Sequence, residues 1–301
     1  MRRISEIYEK LENRPVHTVA VAAAADPEVL YAVAAAQKKG MIRAALFGNA
    51  EKIKICLNRI GEDTGSYVIH DCENDMSAAE KAVQSVSRGK YDFLMKGLLP
   101  SGDFIKAVLN REWGLRKEDS ILSAVAVFEL RIEGEERLLF MTDPGFIPLP
   151  DLKMKIQMIR NMTEKLHRLG YDMPKIAVLS AMETVNPKIS SSVEARALEE
   201  MNQRGEITGC LIGGPFSMDL AISKSSAEHK GFSHPVAGRA DAILVPALET
   251  GNAVLKTISY LVQCPSAGFV CGTVKPVVFT SRSDSAETKL NSIAMAALLA
   301  G

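Results

Sequence analysis

The sequence has no excess of either charge. Its 36 Lys and Arg balance 36 Asp and Glu, for a formal net charge of zero. Such a chain offers no global attraction to nucleic acid or to an anionic bilayer, so neither is expected as a partner. A local basic pocket for a small anion stays open. The five cysteines (Cys56, Cys72, Cys210, Cys264, Cys271) are odd in number, scattered, and form no Cys-x-x-Cys pair. That usage fits free thiols in a reducing compartment and gives structural zinc no paired ligands. Long apolar runs are missing too. Val19 to Ala25 stops at Asp26, too short to cross a bilayer, and Met1-Arg2-Arg3-Ile4-Ser5-Glu6 opens no signal-peptide core. The expectation is a soluble, cytoplasmic protein.

Familiar chemical signatures are absent as well. No G-x-G-x-x-G follows a strand, and there is no G-x-x-x-x-G-K-[ST], H-E-x-x-H or G-x-S-x-G. These absences remove the nicotinamide fingerprint, the P-loop, the zincins and the usual nucleophile elbow. The histidines His17, His70, His167, His229 and His234 have no helical metal-ligand spacing and read as structural or exposed.

What remains is an ordinary globular composition, 47% hydrophobic and 24% charged over 301 residues. That length suits two domains and buries roughly 75% of the unfolded surface. Short apolar runs alternate with helical patterns. Strands are expected at Thr18–Val21, Ala44–Phe47, Tyr67–His70, Phe93–Met95, Ala124–Phe128, Leu138–Thr142, Ile176–Leu179, Cys210–Ile212, Ala242–Val245, Phe269–Cys271 and Val277–Phe279. Helices are expected from Asp26 to about Lys39, then at Ala78–Val86, Asp151–Leu169, Val193–Gln203, Asn252–Val262 and Ala286–Leu299. Asp26 suits an N-cap with Pro27 at the first helical position, and Gly40 ends that helix. Strands separated by helices imply crossovers, hence α/β architecture with mainly parallel sheets. Glu133-Gly134-Glu135-Glu136 interrupts that rhythm as a hairpin turn. The Pro/Gly-dense run Asp143 to Pro150 marks the domain boundary.

The most informative segment is Val277-Val278-Phe279-Thr280-Ser281-Arg282-Ser283-Asp284-Ser285-Ala286-Glu287-Thr288-Lys289. A strand ends, a hydroxyl and a guanidinium come next, and a helix begins. In parallel α/β proteins ligands bind beyond the carboxyl ends of strands, where a helix N-terminus favours an anion. Arg282 offers a bidentate grip on phosphate oxygens. The plainer reading is a capping box, with Asp284 as N-cap and Glu287 reaching back at N3, and both readings can hold together. The same strand–loop–helix layout recurs at Ala242–Asn252, where Pro246 stops the strand, Glu249 and Asn252 are polar, and Gly251 allows close approach to a ligand. Lys96-Gly97 comes after another strand, and Ser180 to Lys188, with Asn186 between, after a fourth. Four such segments suggest a polar, anion-binding site.

Pro235-Val236-Ala237-Gly238-Arg239-Ala240-Asp241, the Leu248–Asn252 turn, Gly272-Thr273-Val274-Lys275-Pro276 and Ser281-Arg282 occur in that order. Together they resemble blocks of the phosphate acetyltransferase and butyryltransferase family, and Gly213-Gly214-Pro215 with Ser217-Met218-Asp219 looks like another. The likeness spans nearly the whole chain and is strongest from Ile176 onward. Met182 to Lys188 and the Ser281–Lys289 run look more like the butyryl branch.

The resemblance implies reversible acyl transfer, acyl-CoA plus inorganic phosphate giving acyl phosphate plus CoA. It implies no cofactor, CoA being a substrate, and no metal. It also implies a homo-oligomer of chains with two α/β domains and a cleft between them, like isocitrate and isopropylmalate dehydrogenases. The C-terminal segment returns to the first domain, giving 1–145 with 283–301 as one domain and 146–282 as the other. Ser281 matches the family's transition-state-stabilising serine, and Arg282 the adjacent arginine on the phosphoryl end. Lys96, Gly97, Ser180, Asn186, Lys188, Asp219, Glu249, Gly251, Asn252, Lys275 and Asp284 are the expected substrate-binding set. The acetyl enzymes carry an aspartate seven positions after the serine; Thr288 stands there in this chain, with Glu287 one residue earlier. Glu287 is thus the first candidate base and Asp284 the second, beside a mechanism without a dedicated base. The acetyl-specific enzyme is the alternative within the family. Outside it stand a metal-dependent decarboxylating dehydrogenase, for which the sequence shows no close set of aspartates, and a non-catalytic binding protein, which should lose Ser281 or Arg282.

Overall fold

The computed structural model describes all residues, Met1–Gly301, and these form two compact units. A flanking unit comprises Ser5–Ser120 and Ala267–Gly301, and a central unit Met1–Ile4 and Ile121–Ser266.

The flanking unit opens with α1 (Ser5–Leu11) and then alternates β1 (His17–Ala22), α2 (Pro27–Lys38), β2 (Ile42–Gly48), α3 (Ala50–Arg59), β3 (Val68–Asp71), α4 (Asp75–Ser87), β4 (Phe93–Lys96) and α5 (Ser101–Val108). Asp26 caps α2 by accepting from the Val29 N–H at 2.9 Å, with Pro27 at the first helical position. Gly40, at φ +71°, turns the chain after it.

The central unit begins with β5 (Ser123–Ile132) and β6 (Glu135–Thr142). Their turn is only Glu133 and Gly134, both at positive φ, while Glu135 already pairs with Ile132. The turn is therefore shorter than the four residues expected, as a two-residue hairpin with positive φ at both positions fits strand twist. Next come α6 (Leu152–Arg168), β7 (Lys175–Leu179), α7 (Ser190–Gln203), β8 (Leu211–Phe216), the short α8 (Met218–Ile222) and α9 (Lys224–His229), β9 (Ala242–Leu244) and α10 (Leu248–Thr257), which runs on as a π-turn over Ile258–Val262. The chain then returns to the flanking unit through β10 (Ser266–Cys271), β11 (Val277–Val278) and α11 (Ala286–Ala300).

In the flanking unit the strand order is β3-β2-β1-β4-β11-β10, parallel except for the β10–β11 pair. In the central unit it is β5-β6-β9-β7-β8, parallel except for the β5–β6 hairpin. Buried on both faces, inner parallel strands such as β1 and β4 read as near-continuous apolar runs, Val19–Ala22 and Phe93–Met95. The central core gathers Phe128, Leu139, Met141, Phe216, Leu220 and Ile243. α11 is buried along Asn291–Leu299, as its nearly uniform apolar sequence requires.

The division differs from the one expected at 145/146 and 282/283, and strand pairing explains both shifts. Phe140–Thr142 of β6 pair with Ala242–Leu244, so the hairpin belongs with the later strands of the central unit. Val277 and Val278 pair with Leu94 and Met95 of β4, which draws the segment before residue 283 into the flanking unit. No helix is long and apolar enough to cross a membrane.

Candidate functional site

β4 and β11 are parallel neighbours, with Val278 opposite Met95, so the residues beyond both strands emerge at one edge of the flanking sheet. Lys96 is the last residue of β4 and only 2% exposed. Its Nζ donates a long hydrogen bond of 3.4 Å to the Gly97 carbonyl and lies 5.8 Å from the Phe279 ring centroid. Burial first, then the charges of Arg282 and Lys289, lower its pKa to about 8, against the opposing pull of Asp284 and Asp26. A cation so disfavoured, with no carboxylate in ion-pair reach, is poised either to gain an anion or to give up its proton.

The turn after β11 is tied together from within. The Ser281 N–H donates to Asp284 Oδ2 at 2.7 Å, and the Asp284 N–H donates back to the Ser281 carbonyl at 3.2 Å. Ser281 Oγ lies 3.0 Å from Ser283 Oγ, and the Ser283 N–H donates to Ser281 Oγ at 3.4 Å. Lys289, 2% exposed, reaches back from the first turn of α11 to donate to the Asp284 carbonyl. Arg282 is exposed and meets no carboxylate.

The helix cap differs from the one expected. Ser285, not Asp284, is the N-cap, accepting from the Thr288 N–H at 3.2 Å, while Asp284 spends its carboxylate one turn earlier on Ser281. Glu287 is exposed in the first turn and closes no capping box. Its charge is felt by Tyr8, whose hydroxyl is raised to about 12 by burial and by Glu287. The carboxylates felt at Lys96 are Asp284 and Asp26.

Two further expected residues have other surroundings. A Cβ on Gly97 would lie 2.2 Å from the Ala23 carbonyl oxygen, so this glycine serves backbone packing against the end of β1. Lys275 precedes β11, at the amino end of the sheet, where its charge helps hold Asp92 below the usual carboxylate range. It is thus removed from the Lys96 edge, because the parallel pairing sends the residues before and after β11 to opposite ends.

In the central unit, residues beyond β7 and β8 form a second polar group. Lys230 Nζ donates to Glu183 at 2.6 Å and meets Asp219 Oδ2 at 2.8 Å, while Ser217 Oγ donates to Glu183 at 2.5 Å. The Lys230 and Ser217 hydrogen bonds hold Asp219 down to about 2. Of these four, only Asp219 is in the expected substrate-binding set, although Ser217 shares its family-like block and Glu183 lies in the Ser180–Lys188 segment. Ser180 Oγ lies 3.0 Å from Ser191 Oγ. Asn186 Oδ1 accepts from the Lys188 N–H at 3.0 Å, its own N–H donates to Ser192 Oγ, and Lys188 is exposed.

α10 starts at Leu248, four residues before the expected Asn252, so Glu249, Gly251 and Asn252 sit in its first two turns rather than in a loop. A Cβ on Gly251 would lie 2.8 Å from the Asp143 carbonyl oxygen, so its small size serves helix packing rather than close approach of a ligand. Asp143 itself is buried and accepts from the N–H groups of Ala124, Gly145, Phe146 and Ile147 at 2.8–3.2 Å. Burial raises it to about 6 despite those donors. No three His, Cys, Asp or Glu side chains gather where they could hold a metal ion.

Residues 73–297 match the model of the phosphate acetyl/butaryl transferase family. The chain belongs to this family. It is 44% identical to a phosphate butyryltransferase of Clostridium acetobutylicum over 100% of this chain and 99% of that protein. It is 39% identical to a phosphate acetyltransferase of Thermotoga maritima, covering 94% of this chain and 95% of that one. A branched-chain phosphotransacylase from Enterococcus faecalis V583 superposes with a TM-score of 0.83 at 31% identity, over 95% of this chain and 99% of the other. As a member of this family the chain is a transferase with a mainly parallel α/β fold.

Proposed function

We propose that the chain is a phosphate butyryltransferase, interconverting butyryl-CoA plus inorganic phosphate and butyryl phosphate plus CoA. The observation that carries this reading is the uncompensated cation pair at one sheet edge, exposed Arg282 beside buried Lys96, in a chain 44% identical to a phosphate butyryltransferase. Arg282 grips the phosphoryl oxygens through its planar fork. Ser281 donates its hydroxyl to the charge developing on the carbonyl oxygen. The Asp284 and Lys289 hydrogen bonds preset the turn that presents both. Ser180, Asn186, Lys188, Asp219, Glu249 and Asn252 are proposed as substrate contacts of the central unit, with Lys188 the exposed cation among them.

The dehydrogenase-like form of the fold and a homo-oligomer belong to the same proposal; parallel strands carrying polar residues at their carboxyl ends support the first. Five free thiols support a reducing compartment such as the cytoplasm.

Phosphate-dependent release of thiol from a panel of acyl-CoAs tests the reading. Butyryl-CoA is expected to turn over faster than acetyl-CoA without added metal or nicotinamide. A strict divalent-cation requirement that survives chelation controls overturns the mechanism. Acetyl-CoA winning by a wide margin favours the acetyl-specific alternative.

A further inference from the structure

Transfer of an acyl group from acyl phosphate to CoA needs a group that takes the thiol proton, and four carboxylates stand in or near the Lys96 edge: Asp284, Asp26, Glu287 and Glu28, the last of which accepts from the Ala286 N–H at 3.1 Å. Asp284 is committed to the Ser281 N–H at 2.7 Å, and Asp26 to the Val29 N–H at 2.9 Å. Each is a capping or turn-forming acceptor whose displacement would undo the local backbone. Glu287 is exposed and faces Tyr8 of α1. Lys96 differs from all four. It is buried, its Nζ lies 5.8 Å from the centroid of the Phe279 ring just after β11, and its hydrogen bond to the neighbouring carbonyl is long at 3.4 Å.

We infer that the Lys96 amine is the general base toward the CoA thiol, an assignment that rests on the function proposed above. Neutral Nζ accepts the S–H proton as sulfur attacks the acyl carbon. The C–S bond forms, the bond from acyl carbon to the phosphoryl oxygen breaks, and the Lys96 ammonium returns its proton to the departing group as hydrogen phosphate. In the opposite direction the same ammonium protonates the leaving thiolate. No other reactant is required.

The charges facing Lys96 suit that duty. Arg282 and Lys289 disfavour its ammonium form, Asp284 and Asp26 favour it, and burial decides the balance, leaving it at about 8. A base poised there is matched to a thiol that ionises at about 8.5. Arg282, always charged, is left to hold the phosphoryl group, so Lys96 is not needed as its counter-ion.

The test begins with wild-type enzyme, butyryl phosphate and CoA, following kcat against pH. An ascending limb at about pH 8 is expected. Lys96→Arg keeps the charge but cannot exchange the proton, so kcat at pH 7 should fall about 10²–10⁴-fold. The deficit should narrow toward pH 9 as the thiol ionises unaided, with phosphate affinity by titration calorimetry near that of wild type. Because Lys96 is buried, a second variant keeps the proposal testable without touching it. Asp26→Asn retains a good N-cap but removes a charge that favours the ammonium, so the limb should move to lower pH. A wild-type profile in Lys96→Arg, or an unmoved limb in Asp26→Asn, overturns the assignment. So does lost phosphate affinity in Lys96→Met with the pH profile intact, which would make Lys96 an anion anchor. Wild-type enzyme inactive toward every acyl-CoA and acyl phosphate overturns the function itself, whereas active enzyme with any of the preceding results overturns Lys96 alone.

Discussion

Lys96 lies at the carboxyl end of a parallel strand in one unit and Lys230 beyond such an end in the other, and their surroundings are opposite. Lys230 is shared between Glu183 and Asp219, whose hydrogen bonds raise its pKa. Lys96 has no carboxylate partner, and burial beside two other cations lowers it. A cation already paired has its field answered within the protein; an unpaired one keeps it for whatever binds. A second contrast runs the same way. Asp143 is as buried as Lys96, but four backbone N–H donors answer its carboxylate. Such compensation is what a structural ion needs, and its absence at Lys96 distinguishes the flanking edge as the place for chemistry.

The comparison breaks most visibly through Ser281 and Arg282. Removing one oxyanion donor costs about 10²–10³ in kcat, so Ser281→Ala should fall by that much with little change in KM or thermal stability. Arg282→Lys should raise the KM for phosphate about tenfold or more, since a lost charged hydrogen bond is worth about 1.5–3 kcal/mol and an ammonium lacks the planar fork. Normal phosphate kinetics in Arg282→Lys would place the anion elsewhere and dissolve the contrast between the two lysines.

Asp143 tests the compensated side through stability. Asp143→Ala strands buried N–H donors and should cost about 3 kcal/mol or more in denaturant unfolding. The pH dependence has a definite sign. Burial raises the carboxyl from 3.8 to about 6, so between those values the folded state binds the proton more tightly than the unfolded state. The contribution of this site therefore decreases as pH rises from about 4 to about 6 and is level above. Asp143→Asn should flatten that part of the Tm–pH curve. A curve identical to wild type would mean that the four donors, not burial, set the carboxyl's affinity.

Much of the molecule is legible in the sequence, and the rest is hidden for physical reasons. All eleven strands lie where apolar runs predict them, and in strands buried on both faces, such as β1 and β4, that signal is uninterrupted. The short helices α1, α5, α8 and α9 have too few turns to establish a period, and α3, at ten residues, is also absent from the expected helices. Ser281, Arg282, Asp284 and Lys96 can be found because each comes at or after a strand end. Lys275 misleads because position near a strand does not tell its two ends apart until the direction of pairing is known. Lys289 lies within the most informative segment, yet only its backward reach to the Asp284 carbonyl gives it a role. Glu183, Ser217 and Lys230 meet across loops, and no spacing announces them.

The smallest effect is expected at Glu287, the first carboxylate that sequence proximity puts forward. Two roles are open to it, cap and base, and the structure supplies another residue for the first: Ser285 caps α11 through the Thr288 N–H. Its charge bears on the Tyr8 hydroxyl, which also donates to Asn291 at 2.6 Å. Glu287→Gln removes that charge without disturbing either hydrogen bond. Stability should stay within about 0.5 kcal/mol, as for most exposed substitutions, with kcat and its pH profile close to wild type. Asp284→Asn makes the informative partner, since it weakens the acceptor of the Ser281 N–H and should lower kcat more than it lowers stability. If Glu287→Gln instead lost the ascending limb of the profile while Asp284→Asn kept it, the proton would be leaving toward α1, and the edge at Lys96 would be a binding surface for phosphate alone.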